Sequence, residues 1–285
     1  MLKARKEFQR KHLRNYLNKA GAGNVPIFYA LALSYTVFRA EEERESIIER
    51  LAQLPIDCLW IKISQSGALN HAMVRNLVHG AAQFHSLEVP LVGDMMGGLL
   101  GFSALAFGAV GGVCHGVTQK ERFSAGSLTR PAKPGSKGFS RSTGIYVAPL
   151  GIHLTRREAK AFFEAHGSKS RFGCKMKECC PKGWTDMVDN PVRHSVFQRS
   201  LEIQRLSNVP GPRRALQFLE ETVRPATDAA MFAETLSFDS QEQLAKRMRV
   251  NRKRIERLRV GLGRFVQECR DVSFSQTPPP RAMRD

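Results

Sequence analysis

The chain has 285 residues, 42% of them hydrophobic, which is enough to bury a core in one large domain or two ordinary ones. Its formal net charge of +18 and pI near 10.1 favour a polyanionic partner, with nucleic acid ahead of an acidic membrane. No apolar run reaches the roughly 18 residues of a membrane span, and the basic N-terminus lacks the apolar core of a signal peptide. We therefore expect a cytoplasmic protein with no membrane partner, whose six cysteines are reduced thiols or metal ligands.

A basic N-terminal arm, residues 1–24, precedes a run of alternating strand and helix patterns. The arm is predicted to be a helix that is either solvated or in contact with phosphates. Strands are predicted over residues 27–34, 58–63, 89–92 and 109–113, with a further one over 145–150, and helices over 41–54, 68–87 and 99–107. The nearly continuous apolar runs of the first strands are typical of parallel strands buried on both faces. Residues 25–150 are therefore predicted to form a parallel β/α unit joined by right-handed crossovers.

Residues 89–123 hold a Gly-rich loop after the third predicted strand, a glycine pair within the fourth, and a second loop after the fourth. Loops that follow parallel strands meet at the carboxyl edge of the sheet, where the chemistry of such folds is found. The glycines either bind a ligand through their amides or only permit tight turns. The one carboxylate directly after a strand is either catalytic or a helix N-cap. The candidate site residues are Asp94, Gly97, Gly98, Gly111, Gly112, His115, Glu121 and Arg122.

The rest of the chain differs in composition from the β/α unit. Residues 118–143 are rich in Gly, Pro, Ser, Lys and Arg and predict a long basic loop. Residues 151–272 are predicted to be helical, with a capping box at Thr155 and Glu158 and a helix start at Asn190 and Pro191. The Pro-rich tail, 273–285, is predicted to be disordered.

A cysteine cluster opens the helical region. Cys174, Cys179 and Cys180 lie within seven residues, and His194 follows at the start of a predicted helix. Three thiolates and one imidazole are a closed tetrahedral ligand set for zinc. Adjacent cysteines need a sharp turn to reach one ion, and the following Pro and Gly can supply it. The alternative is a group of buried thiols with a histidine that caps the helix.

The last predicted helix, residues 240–269, is strongly basic. Over residues 240–258 its apolar positions match the small core of a helix-turn-helix, although Arg249 stands where the turn glycine is usual. The alternative is one long basic helix that packs on the β/α unit through the same apolar stripe. Either form presents cations to phosphates. The candidate nucleic-acid contacts are Lys246, Arg247, Arg252, Lys253, Arg254 and Arg257.

Together these features resemble the tRNA-guanine transglycosylase superfamily. The resemblance rests on a parallel β/α unit with paired Gly-rich loops, followed by a Cys-rich element closed by a histidine on a helix. Cys174, Cys179, Cys180 and His194 match the family's zinc ligands in type and order, though not in spacing. The resemblance implies a TIM-type barrel of which residues 25–150 form the second half, followed by a structural zinc element and a helical C-terminal region.

The resemblance also implies chemistry and partners. Asp94 would be the carboxylate that attacks or stabilises the ribose C1′, with His115 or Glu121 moving a proton and Arg122 binding phosphate. The family's other acidic residue comes from the half of the barrel that residues 25–150 do not contain. We therefore expect a second copy or a separate subunit to complete the barrel.

Three functions stay open at this point. The first is an enzyme of the transglycosylase type, a glycosyltransferase that exchanges a base in tRNA or DNA. The second is a non-catalytic, zinc-containing nucleic-acid-binding protein that uses the β/α unit as a scaffold. The third is a barrel that acts only with a partner.

Overall fold

A computed structural model describes residues 12, 15, 17–21, 23–64, 70–114, 123–124, 143–238 and 241–271, with backbone only for 269–271. These residues form a mixed α/β protein with a four-stranded parallel sheet, a two-stranded sheet and a helical C-terminal region. Most of the basic arm and of loop 118–143, and the whole tail 273–285, lie outside the described residues, as do His115, Glu121 and Arg122. None of the described helices combines the length and apolarity needed to cross a bilayer.

The parallel sheet confirms the predicted alternation of strands and helices. Its strands pair in chain order: β1 (Phe28–Ser34), β2 (Cys58–Ser64), β3 (Leu91–Asp94) and β4 (Gly112–Cys114). The helices between them are α1 (Tyr35–Arg39), α2 (Glu41–Ala52), α3 (His71–Gln83), which a 3₁₀ turn (Phe84–Leu87) extends, and α4 (Gly98–Ala106). The fourth strand begins later than predicted because the amides of Ala109 and Val110 donate to the carbonyl of Ala104 and so close the end of α4.

One face of this sheet is packed and the other is partly open. On the packed face, Leu59, Ile61 and Ile63 belong to the same buried cluster as Leu77 of α3. On the other face Phe28 is 59% exposed, so the prediction that the first strand is buried on both faces is wrong. The physical reason is that the helices around the sheet pack against a single face, which leaves β1 with alternating burial.

The strand predicted over residues 145–150 does not join the parallel sheet. β5 (Ile145–Val147) pairs antiparallel with β6 (Ile152–Leu154), and a 3₁₀ turn (Ala148–Leu150) connects them. Gly151 closes the hairpin with φ of +55°, a conformation that glycine adopts without strain. The described parallel strands therefore number four, which is a partial sheet and not a closed barrel.

The C-terminal region is helical, as predicted. It contains α5 (Arg156–Glu164), α6 (Ser168–Phe172), α7 (Trp184–Asp189), α8 (Pro191–Ser207), α9 (Gly211–Phe218), a π-helical turn (Leu219–Val223), α10 (Arg224–Thr235) and α11 (Glu242–Asp271). The capping box of Thr155 and Glu158 is confirmed at the start of α5. Asn190 occupies the N-cap position of α8, but its side chain makes no capping hydrogen bond.

Helix α11 is continuous over 30 residues, so the helix-turn-helix prediction is wrong and the long basic helix is what forms. Its apolar stripe, which includes Met248, Ile255 and Leu262, is buried against α10 and α3. A Cβ at Gly261 would lie 3.1 Å from the Cβ of Val74 and 3.3 Å from the carbonyl oxygen of His71, so this glycine permits the close approach of α11 to α3.

An ion pair fixes the first half of α11 to the start of α5. The guanidinium of Arg247 donates to both carboxylate oxygens of Glu158, and also to the carbonyl of His153. Burial raises the pKa of Glu158, but the hydrogen bond from the Thr155 amide and the bonds and charge of Arg247 outweigh it, so that the pKa lies below its usual value. This pair therefore stabilises the fold while Glu158 is ionised.

Replacing Glu158 with glutamine is expected to lower the free energy of unfolding by about 2 kcal/mol at pH 7, the scale of hydrogen bonds to a charged group. Because the folded pKa is depressed, this stability is present above the unfolded pKa of about 4.3 and is lost as the pH falls through the folded value. Urea unfolding of both proteins at neutral and acidic pH measures the difference. The exposed Glu164, on the same helix, is the control, and Glu164→Gln should change little at either pH.

Candidate functional site

Three cysteines and one histidine converge at the junction of β5, the loop before α7, and α8. The ligand atoms of Cys174, Cys179, Cys180 and His194 all lie within 4.8 Å of one another. Cys179, Cys180 and His194 are buried, and Cys174 is partly exposed. The predicted ligand set is therefore brought together, and these residues can hold a metal ion.

The distances suit a tetrahedral ion. Ordinary zinc bond lengths of about 2.3 Å to sulfur and 2.1 Å to nitrogen place two sulfurs roughly 3.8 Å apart and a sulfur roughly 3.6 Å from a nitrogen. The Sγ atoms of Cys179 and Cys180 are 3.5 Å apart, and each lies 3.3 Å from Nδ1 of His194. Small shifts of the side chains would complete the coordination, so the donors fit such an ion.

A tight turn allows the two adjacent cysteines to point at one centre. The amides of Cys179 and Cys180 both donate to the carbonyl of Met176, and the amide of Gly183 donates to the carbonyl of Cys180. Gly183 has φ of +65°, which confirms the sharp turn expected from the Pro-Lys-Gly sequence. The side-chain amide of Gln198, on α8, lies 3.5 Å from Sγ of Cys174 and donates to it.

The imidazole of His194 is held in one orientation by β5. Its Nε2 lies 3.0 Å from the main-chain carbonyl of Tyr146. A carbonyl can only accept, so Nε2 carries the proton and the lone pair of Nδ1 faces the sulfurs. Burial lowers the pKa of His194, so the neutral form required of a metal ligand is favoured. A backbone group that orients a ligand histidine in this way is a regular feature of metal sites.

Without a metal, the two buried thiols resist ionisation. Burial raises the pKa of Cys179 and of Cys180, and the neighbouring thiols contribute to both shifts. Metal ligation requires thiolates, so binding at this centre releases protons and becomes stronger as the pH rises. Neutral thiols at Cys179 and Cys180 beside a neutral imidazole at His194 are the expected state of the metal-free protein at neutral pH.

A second group of polar residues lies at the carboxyl edge of the parallel sheet. Asp94 is the last residue of β3, and a carboxylate oxygen lies 2.8 Å from Nζ of Lys62 on β2. The Asp94 side chain is 14% exposed. Helix α4 begins at Gly98 with Gly97, φ +90°, at its N-cap, so Asp94 does not cap that helix. The carboxylate therefore has no structural role as a cap.

Cys114 lies beside Asp94 in the register of β3 and β4. Burial raises the pKa of this thiol, the charge of Asp94 raises it further, and Lys62 lowers it. The ammonium of Lys62 also lies 5.6 Å from the ring centroid of Phe123, which is buried over this edge. The site is a lysine–aspartate pair with a neutral thiol, on the partly open face of the sheet.

The other glycines predicted to bind a ligand have different positions. Gly98 is the buried first residue of α4, and Gly112 begins β4. The amide of Gly111 donates to the carbonyl of Leu91 at 2.8 Å, so it is used by the fold. His115, Glu121 and Arg122 lie outside the described residues.

The six predicted nucleic-acid contacts divide into two groups. The guanidinium of Arg247 donates to the carboxylate of Glu158. Nε of Arg252 lies 2.5 Å from Oε2 of Glu234. The guanidinium of Arg254 donates to the carbonyl of Gly151 at 2.9 Å. These three arginines hold α11 against the rest of the protein. Lys246 and Lys253 are exposed, together with Arg249, and Arg257 is half-buried. The exposed cations of α11 therefore remain accessible from solvent.

Sequence reasoning missed three residues that complete these sites. Lys62 carries the charge nearest Asp94, and its signal was a lone lysine in an otherwise apolar strand. Tyr146 acts through its main-chain carbonyl, for which the residue type gives no signal. Gln198 lies one turn after His194 on the same face of α8, a spacing that could have indicated contact with the same centre.

Comparisons of this chain with protein-family models, with curated proteins and with solved structures found no match, so its function has to be argued from the two sites themselves.

Proposed function

We propose that the metal is Zn²⁺ and that its role is structural. Three thiolates and one imidazole leave no open position on a tetrahedral ion, and this donor set suits zinc. The centre joins β5, the cysteine loop and α8 through Tyr146, Cys180 and His194. It would therefore hold the helical region in place beside the sheet.

We propose further that the protein performs base exchange or other N-glycosidic chemistry on a nucleic acid, tRNA or DNA, as a transglycosylase does. The observation that carries this proposal is the carboxylate of Asp94, paired with Lys62 at the carboxyl edge of a parallel sheet. The ammonium of Lys62 lies 2.8 Å from this carboxylate and holds it in position. The zinc-type ligand set and the net charge of +18 support the same family resemblance.

In the proposed reaction, a carboxylate oxygen of Asp94 forms a bond to C1′ of the target nucleoside. The C1′–N bond breaks, and the leaving base takes the electron pair and a proton from solvent or a nearby acid. An incoming base then attacks C1′ through a ring nitrogen, gives up the proton of that nitrogen to solvent or a nearby base, and releases the carboxylate. No oxidant or reductant is needed. Each step is a substitution at one carbon, for which an ionised and positioned carboxylate is the required group.

The fold itself supports a half barrel. Four parallel strands in chain order, with helices on one face, have the arrangement of half of an eight-stranded β/α barrel. Asp94 and Lys62 would then face the barrel interior near its carboxyl end. Among the described residues, nothing pairs with the outer backbone groups of Phe28, Ala30 and Ala32 in β1. We propose that a second copy, or a separate subunit, supplies the strands that complete the barrel.

Self-association is expected to depend on the open face of β1. In sedimentation velocity, the full chain should sediment as a species larger than the monomer, and Phe28→Glu should shift it towards the monomer because it places a charge on the apolar interface. Val250 is as exposed as Phe28, at 59%, but lies on α11, so Val250→Glu is the matched control. A thermally stable monomer at all concentrations would contradict completion of the barrel by a second copy of the chain.

Nucleic-acid binding is expected to use the exposed cations of α11. The triple variant Lys246→Glu, Arg249→Glu, Lys253→Glu should weaken binding to tRNA or duplex DNA by at least about tenfold, and reduce the slope of log affinity against log salt by about 0.9 per lost phosphate contact. Fluorescence anisotropy over a salt series measures both quantities.

The control for that experiment makes the same change in charge elsewhere. Arg157→Glu, Lys160→Glu and Arg213→Glu alter three exposed cations on α5 and α9. An equal loss of affinity in the two triple variants would show that only the overall charge matters, and that α11 is not the interface.

A second candidate is a zinc-containing nucleic-acid-binding protein without catalysis. The observation that favours it is the row of exposed cations on α11, which needs no carboxylate at the sheet edge. Incubation with a labelled purine base and either tRNA or DNA separates the two candidates. Incorporation of label that depends on Asp94 supports base exchange. If the zinc-loaded protein binds the nucleic acid but neither incorporates label nor releases a base, the second candidate is supported.

A further inference from the structure

A cavity of about 530 Å³ lies beside the metal centre, and neither proposed site uses it. Its walls come from α4, from the turn between β5 and β6, and from the cysteine loop with the helices on either side of it, α6, α7 and α8. The end of α9, the following π-helical turn and the start of α10 complete the lining. The volume falls in the range of about 300–1,000 Å³ that is typical of small-molecule sites. Cys174 and His194 form part of the wall, so a structural zinc ion would fix its shape.

The π-helical turn is one sign of a built site. Single π-helical turns within helices are uncommon and often occur at functional sites. Here the turn spans Leu219–Val223, and its Glu221 and Thr222 line the cavity together with the adjacent Phe218. The irregular turn therefore directs side chains towards the cavity.

The carboxylates that line the cavity are bonded to other groups, and they do not pair with its cations. The carboxylate of Glu202 is occupied, because it accepts from the hydroxyl of Tyr146 at 2.7 Å and from Arg199 at 2.7 Å. Glu221 accepts from a side-chain amide at 3.0 Å. In contrast, Lys175 and Arg205 are exposed at the cavity, and neither has a carboxylate partner among the described residues.

A third cation and an apolar floor define the ligand further. The guanidinium of Arg171 lies 4.5 Å from the ring centroid of Phe232. No carboxylate in the described part of the chain pairs with its N–H groups. The inner wall is made by the buried rings of Phe102, Phe172 and Phe218. An apolar floor below unpaired cations suits a molecule that joins a planar ring to an anion.

We propose that this cavity binds a nucleotide, with its base against the apolar floor and its phosphate at Lys175 and Arg205. The choice of a nucleotide over another anion with a ring rests on the proposed nucleic-acid function. The cavity and its unpaired cations are independent of that proposal. The ligand is either a free nucleotide or the phosphorylated end of a strand, since both present the same ring and phosphate.

The test is isothermal titration calorimetry of the full chain with three ligands: AMP, a 5′-phosphorylated dinucleotide, and inorganic phosphate. At least one nucleotide should bind about tenfold more tightly than phosphate, because only the nucleotides reach the apolar floor. Lys175→Glu with Arg205→Glu should weaken nucleotide binding by at least about tenfold. The matched control is Arg157→Glu with Arg213→Glu, two exposed cations outside the cavity, and it should change affinity by less than about twofold.

Each outcome decides the proposal. Binding of AMP identifies a free nucleotide, and binding of the dinucleotide alone identifies a strand end. Absence of nucleotide binding, phosphate binding as tight as that of the tighter-binding nucleotide, or an equal loss in the cavity and control variants overturns the proposal. All four altered residues are exposed, and metal content with thermal unfolding verifies that the variants fold. Asp94→Asn should bind AMP normally, so a failure of base exchange and a failure of this site are distinguishable.

Discussion

Protein with Cys180 replaced by serine is expected to bind less than about a tenth of a metal ion per chain, and to lose about 4 kcal/mol or more of its unfolding free energy. The physical reason is that the ion binds only the folded ligand set, so its binding free energy adds to folding stability. Cys180 lies 3.3 Å from Nδ1 of His194 in the buried part of the centre. Elemental analysis of protein purified without chelators gives the metal content, and urea unfolding gives the stability.

The control is Cys114→Ser, which alters a half-buried thiol at the sheet edge. That variant should keep one metal ion per chain. The wild-type protein should also lose stability when a strong chelator is added, whereas the Cys180→Ser protein should not respond. A wild-type protein that is free of metal and insensitive to chelators would contradict the metal centre.

Replacement of Asp94 with asparagine is expected to reduce base exchange by at least about 1,000-fold, since an amide cannot act as the nucleophile. Nucleic-acid affinity should change by less than about threefold, because the exposed cations of α11 are untouched. Incorporation of a labelled base measures the first quantity, and fluorescence anisotropy the second.

The variant Lys62→Met tests the same site through the ion-pair partner of Asp94. It removes the ammonium that lies 2.8 Å from the Asp94 carboxylate, so base exchange should fall, because the carboxylate loses the partner that positions it. Asp228→Asn, an exposed aspartate on α10, is the control and should retain full activity. Equal activity of Asp94→Asn and wild-type protein would show that another group performs the chemistry.

The order of strands and helices up to residue 114 could be predicted from sequence, because apolar runs and amphipathic periods report local burial directly. The open face of β1 could not be predicted. An apolar run such as Phe28–Ser34 shows that the residues are apolar, but not which neighbouring elements cover them. The β5–β6 hairpin was missed for a similar reason, because its identity depends on Gly151 and on antiparallel pairing beyond the predicted strand.

The cluster of Cys174, Cys179, Cys180 and His194 could be predicted, because these residue types are common metal ligands. Three thiols and one imidazole within residues 174–194 match a ligand set for zinc. The orientation of the His194 imidazole could not be predicted, since it depends on a main-chain carbonyl 48 residues earlier in the chain. The charge of α11 was evident, but which of its arginines are bound to Glu158 and Glu234 depends on long-range packing.

The most direct test of the central claim is detection of a covalent bond between Asp94 and the nucleic acid. The protein is mixed with tRNA or DNA without an incoming base and denatured, and the adduct is located by peptide mass spectrometry. If Asp94 is the nucleophile, the adduct lies on Asp94, is absent from Asp94→Asn protein and disappears when free base is added. Base release or exchange by Asp94→Asn protein, or an adduct on a different residue, would contradict it.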